Sequence, residues 1–140
     1  MLKHSKIVGF VATSSPDVPK HFYRDCLGLT LVEDSAFAMV FESADTVIRV
    51  QKTTQVYSPP YTTLGWEVDN IVATVRWLTD AGVQFERYDG LVQDDLGIWS
   101  VSGSAASNNA DATGSDATGS RVAWFKDPDG NLLSVTQTSK

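Results

Sequence analysis

Trp124-Phe125-Lys126-Asp127-Pro128-Asp129-Gly130-Asn131-Leu132-Leu133-Ser134-Val135 is the stretch whose reading decides the fold. An aromatic segment runs into a Lys-Asp-Pro-Asp-Gly-Asn turn, and an apolar segment leaves it at once. Pro128 pre-sets φ for a turn, Gly130 accepts positive φ, and the Asp and Asn side chains can bond nearby backbone. The stretch predicts a tight antiparallel hairpin.

Working outward, the rest of the chain reads as one pattern used twice. Ile7–Thr13 predicts a strand, and Ser14, Ser15 and Pro16 supply capping and helix-start chemistry. From Asp17 to Leu27, Val18, Phe22 and Cys26 recur at spacings of four, one face of a helix, with Gly28 where a helix-ending glycine is expected. Leu29–Glu33, Phe37–Glu42 and Thr46–Lys52 follow as short strands, and Ser58-Pro59-Pro60 is a stiff linker. Thr63–Val68 then predicts a strand, Asp69 or Asn70 a helix cap, and Ile71, Val75 and Leu78 an apolar helix face ending at Gly82. Val83–Arg87, Gly97–Val101, Arg121–Phe125 and Leu132–Gln137 are the remaining strand candidates. Aligning Val8 with Thr63 also aligns Ser15 with Asn70, and Gly28 with Gly82 within one residue. That is an internal duplication of βαβββ modules.

Length and charge bound the function. A chain of 140 residues makes one domain able to bury a core, with module one over about 5–56 and module two over about 61–138. Residues 102–120 hold almost only small and polar side chains, with Asp-Ala-Thr-Gly-Ser twice in tandem. They read as a flexible hairpin insertion, either a surface loop or a lid. A net charge of −6 argues against nucleic acid, whose phosphates need clustered Lys and Arg. No apolar run is long enough for a membrane span, the first residues lack a secretory core, and a single cysteine suits a reducing cytoplasm.

Phe22-Tyr23-Arg24-Asp25-Cys26-Leu27-Gly28-Leu29, Leu64-Gly65-Trp66-Glu67-Val68-Asp69-Asn70, Ala81-Gly82-Val83 and the Asp-Pro-Asp-Gly-Asn turn together resemble the vicinal oxygen chelate superfamily of glyoxalases, bleomycin-resistance proteins and extradiol dioxygenases. The resemblance implies an α+β fold: two βαβββ modules forming a curved mixed sheet around a cleft, with helices outside. These motifs are turns, caps and packing positions, so they speak for fold more than for function. Catalytic members hold a divalent metal with ligands from the first and last strands of each module. Carried over, those positions fall on Val8 and Thr63, and on Arg49 and Ser134, with Gln51 as the fallback for Arg49. Valine cannot ligate, arginine repels a cation, and the two hydroxyls are weak ligands. The chain has two histidines, His4 and His21, and both read as surface residues. The metal site is therefore read as lost, with no cofactor expected and no catalytic residue assigned.

Strand alternation names what shares a face with those positions: Phe10 and Ala12, Gly65 and Glu67, Val47 and Gln51, Leu132 and Thr136. The expected ligand-binding cleft is lined by Phe10, Arg49, Gln51, Thr63, Glu67 and Ser134, apolar walls with a few orienting groups. Arg49 and Glu67 have three readings: a mutual ion pair, an anion-binding arginine, or a general base at Glu67. Trp99 and Trp124 flank the insertion, and either packs the core or lines the cleft. Trp66 is expected under a helix, Trp77 half exposed, and Cys26 buried. The leading function is a metal-free small-molecule-binding protein resembling the bleomycin-resistance branch, cytoplasmic and homodimeric. The alternatives are a glyoxalase-like lyase or dioxygenase with an atypical metal site, and an accessory module of the same fold with no small ligand.

Overall fold

Strand, helix and three strands occur twice along the chain, as the duplication requires. In the computed structural model, which describes residues 1–101 and 119–138, the first module is β1 (Val8–Thr13), α1 (Asp17–His21), β2 (Thr30–Asp34), β3 (Ala38–Ser43) and β4 (Thr46–Lys52). The second is β5 (Leu64–Glu67), α2 (Ile71–Asp80), β6 (Trp99–Val101), β7 (Ser120–Lys126) and β8 (Leu132–Gln137). The strands bond as two four-stranded sheets with the same permuted order, β1-β4-β3-β2 and β5-β8-β7-β6. In the first sheet β1 runs parallel to β4, while β2, β3 and β4 are antiparallel. The tandem-repeat insertion lies outside the described residues, apart from its end at Gly119 and Ser120.

The chain divides into two compact units, Met1–Leu64 with Lys126–Leu132, and Gly65–Phe125 with the chain from Leu133 on. Chemistry explains why the turn of the second module belongs with the first unit. Asp127 is buried, and its carboxylate accepts from the Tyr23 hydroxyl at 2.6 Å and Asn131 Nδ2 at 2.8 Å. The backbone N–H groups of Asp129 and Asn131 add bonds of 3.0 and 2.9 Å to Oδ1. Asn131 Nδ2 also donates to Ala12 O at 3.0 Å, and Ser14 N–H to Asp129 Oδ1 at 3.1 Å. Ser58 Oγ, from the proline linker, donates to Asp129 O at 3.0 Å. Gly130 takes the positive φ the turn requires, 90°.

This network corrects the expected helix face. Val18 is 53% exposed and Phe22 and Cys26 are half-buried, whereas Pro19 and Tyr23 are buried. Tyr23 turns inward because its hydroxyl satisfies the buried Asp127 carboxylate, which no apolar side chain at position 22 could do. After His21 the helix widens into a π-helical turn, Phe22–Cys26, closed by Leu27 N–H to Phe22 O at 2.9 Å. Cys26 is thus not the buried thiol expected. The serines ahead of α1 do not cap it either, since the helix has no side-chain cap and the Ser14 N–H is committed to Asp129.

In the second unit α2 buries Ile71, Val75 and Leu78, the face read from the sequence. Ile71, Val72, Thr74, Val75 and Thr79 are poor helix formers, each costing up to about 0.7 kcal/mol relative to alanine. Burial of three large side chains contributes roughly 1.5–3 kcal/mol apiece and outweighs that. The Asn70 side chain caps the helix, accepting from Ala73 N–H at 3.0 Å. Val83–Arg87 does not become a strand: it makes one bridge, Phe85 to Phe125. The chain beyond it is held as a loop by Gln93, whose side chain accepts from Tyr88 N–H at 2.8 Å and donates to Glu86 O at 3.0 Å and Gly97 O at 2.8 Å.

Candidate functional site

Cross-strand partners share a face, so the register of the first sheet assembles its side chains into rows. Phe10, Arg49 and Val40 form one row, and Ala12, Gln51 and Ala38 the next. Val8, Val47 and Glu42 form the third. The opposite face carries Val11, Ile48, Val50, Met39 and Phe41, all buried, and is the core side. On the row face Phe10 is 54% exposed, Arg49 half-buried and Gln51 exposed, while Val40 and Ala38 are buried. Among the described residues the Arg49 and Gln51 side chains make no hydrogen bond, and Arg49 joins no ion pair. A guanidinium is a fork of donors that suits an anionic or polar group.

The second sheet carries Glu67 and Ser134, and Thr63 lies just ahead of β5. Thr63 and Glu67 are exposed and Ser134 is buried at 8%. Thr63 Oγ1 donates to Leu132 O at 3.2 Å, and Glu67 Oε2 accepts from Thr138 Oγ1 at 2.7 Å. Gly65 lies against Ser134, so closely that a Cβ there would come within 2.6 Å of the serine Oγ. Alternation puts Ser134 and Trp124 on the face opposite the buried Phe125, Leu133 and Val135. There Trp124 stacks on Trp99 with centroids 5.8 Å apart, and Tyr88 meets Trp124 edge-on at 5.6 Å. Both tryptophans are half-buried, so the cluster packs on itself and still shows surface. Trp66 instead packs on Phe125, at 6.5 Å. Tyr88 was not legible as a member of this cluster, because it lies in the loop beyond the expected strand Val83–Arg87.

Some polar groups of the first unit are engaged in structural pairs. His21 bonds Asp25 at 2.8 Å on the exposed face of the helix. Lys20 and Lys52 both hold Asp34, and hydrogen bonds from these lysines keep its carboxyl below the ordinary carboxylate range. Burial pushes the Asp127 carboxyl up, only partly opposed by its hydrogen bonds, and raises the Tyr23 hydroxyl well above its ordinary value.

The residues at the four carried-over ligand positions do not fit a divalent metal. Val8 has no donor atom, and Arg49 brings a positive charge. The Thr63 hydroxyl is spent on Leu132 O, and the Ser134 hydroxyl is a weak ligand. Among the described residues no three His, Cys, Asp or Glu side chains gather where they could hold an ion.

No protein-family model matches the chain, and comparison with curated proteins gives no match. Solved structures do match over nearly the whole length. A glyoxalase/bleomycin resistance protein/dioxygenase from Alicyclobacillus acidocaldarius superposes with a TM-score of 0.62 at 13% identity, covering 96% of this chain and 91% of that one. TnmS3, an antibiotic binding protein from Streptomyces sp. CB03234, gives 0.59 at 18% identity over 96% and 95%. Lactoylglutathione lyase from Agrobacterium tumefaciens gives 0.57 at 14% identity over 95% and 93%. The chain has the fold these proteins share.

Proposed function

We propose that this chain, built on the vicinal oxygen chelate fold, is a small-molecule-binding protein that works without a metal. The observation that carries this reading is the donor set. Where the resemblance places metal ligands, the chain has valine, arginine, threonine and serine, while Phe10, Arg49 and Gln51 share one sheet face and the last two make no side-chain hydrogen bond among the described residues. In the first unit the proposed ligand-binding residues are Phe10, Arg49 and Gln51 on one sheet face, with Thr63 just ahead of β5; in the second they are Glu67 and Ser134. Trp99 and Trp124 supply aromatic surface. The fold serves both binding and catalysis, as an antibiotic binding protein and a lyase among the structural neighbours illustrate. The loss of ligating side chains favours binding.

Tryptophan fluorescence tests this directly, because Trp99 and Trp124 lie on the face that carries Ser134. Titration with aromatic polyketide, glycopeptide and β-lactam antibiotics and small aromatic acids is expected to find at least one saturable quencher, unchanged by EDTA. Silence across the panel would count against binding. A response that vanishes with EDTA and returns with Zn²⁺ or Ni²⁺ would move the lyase reading forward.

The protein acts in the cytoplasm as a homodimer on this reading. A lone cysteine is compatible with that location. Phe37, 79% exposed, and Val32, 48% exposed on the edge strand β2, are apolar surface a second copy can cover. Light scattering at micromolar concentration is expected to return twice the mass of one chain. The monomer mass would refute the dimer without touching the binding reading.

A further inference from the structure

We propose that Arg49, assisted by Gln51, is an oxyanion-binding centre that replaces the metal, and that its ligand is an aromatic carboxylate or a comparable aromatic oxyanion. This rests on the small-molecule-binding reading and names the ligand class of the same residues. A divalent cation in such a fold would attract oxygen lone pairs. A guanidinium can do the same without ligands of its own, because it stays charged and presents a planar fork to two oxygens at once.

The rows on the first sheet supply the surroundings such a centre needs. Arg49 lies between Phe10 and Val40, so an anion bound there has an aromatic ring on one side and buried aliphatic surface on the other. Gln51 follows two residues on along β4, about 6–7 Å away along the strand, and its amide adds a neutral donor. Ala12 and Ala38 flank Gln51, with Ala38 buried. Two acids share this face, Glu33, paired with Val40 in the row of Arg49, and Glu42, diagonal to Arg49 in the row of Val47, and neither forms an ion pair with it among the described residues. A half-buried arginine with no hydrogen-bond or ion-pair partner among the described residues has its guanidinium donors available to a ligand anion.

The test uses a matched pair of probes, 2-naphthoate and its uncharged amide, titrated calorimetrically into the full chain. Wild type is expected to prefer 2-naphthoate about tenfold or more, the range expected for charge-assisted hydrogen bonds. Arg49→Gln is expected to lose that preference, binding 2-naphthoate no more tightly than 2-naphthamide. Arg49→Lys, which keeps the charge but not the fork, should fall between. Arg49 is half-buried at the sheet surface, so unchanged melting curves are expected and serve as the folding control. Equal binding of both probes to wild type, or an Arg49→Gln variant that keeps the preference, would overturn the oxyanion centre. The small-molecule reading would then stand on the amide's binding. Failure of 2-naphthoate to bind at millimolar concentration would also overturn the centre. The broader reading would then be decided by the antibiotic panel.

Discussion

Asp127→Ala is expected to destabilise the protein by about 4 kcal/mol, a large share of the roughly 5–15 kcal/mol margin of an ordinary domain. The substitution leaves the Tyr23 hydroxyl, Asn131 Nδ2 and two backbone N–H groups without their acceptor, in a place where Asp127 and Asn131 are buried and Tyr23 is fully so. Each buried donor without a partner costs roughly 1–3 kcal/mol, and the four are too close together to add fully. Tyr23→Phe removes a single bond to a charged group and is expected to cost about 1.5–3 kcal/mol. Urea unfolding measures both, and a loss below about 1 kcal/mol for Asp127→Ala would show that the turn does not anchor the first unit.

The pH dependence of this network has a definite sign. Burial raises the Asp127 carboxyl above its unfolded value, so the folded state binds that proton more tightly than the unfolded chain. Its contribution to stability therefore grows as pH falls through the folded pKa, and levels off below the unfolded value of about 3.9. Asp34 has the opposite slope, because its depressed pKa gives stability that is lost as pH falls through the folded value. In Tyr23→Phe the Asp127 pKa should rise further, since the lost hydrogen bond favours the charged form. Carboxyl carbon chemical shifts against pH would read this, and a downward move would mean that burial is not what governs the group.

How far the sequence reaches is clear from particular residues. The closing turn was legible because Pro128 and Gly130 constrain backbone locally, and α2 because Ile71, Val75 and Leu78 keep helical spacing. The β4 register was legible too, since strand period alone puts Arg49 and Gln51 on one face. What local pattern cannot carry is a partner 104 residues away: Tyr23 is buried because of Asp127, and nothing between positions 17 and 27 records that. Val18, Phe22 and Cys26 made an apolar stripe, yet a buried carboxylate needing a donor decided which face turned in. The loop gripped by Gln93 was illegible for a similar reason. Val83–Arg87 alternates like a strand, but side-chain amide bonds to Glu86, Tyr88 and Gly97 satisfy backbone that a sheet ladder would otherwise pair. On the candidate site, the sequence named the residues of each face and left open how Arg49 is partnered, because an ion pair depends on rotamers rather than on spacing.

Gly65→Ala is the second substitution with a large expected effect, and its cause is contact rather than backbone freedom. The added Cβ would come within 2.6 Å of Ser134 Oγ and 3.3 Å of Ser134 O, the first a distance real Cβ atoms do not show. Alanine in a strand would otherwise help by about 0.5–1 kcal/mol relative to glycine. Overpacking costs about 1–3 kcal/mol, so the clash wins and a net loss of about 1–2 kcal/mol is expected. Ser134→Ala alone removes only the hydroxyl and should cost less than about 1 kcal/mol. Combined with Gly65→Ala it removes the closest contact, so the double variant should be more stable than the sum of the two singles by about 1 kcal/mol. Rescue stays incomplete because the carbonyl contact remains. Additive losses would mean that β5 shifts away from β8 as a whole, and that the close approach of these strands does not position Ser134.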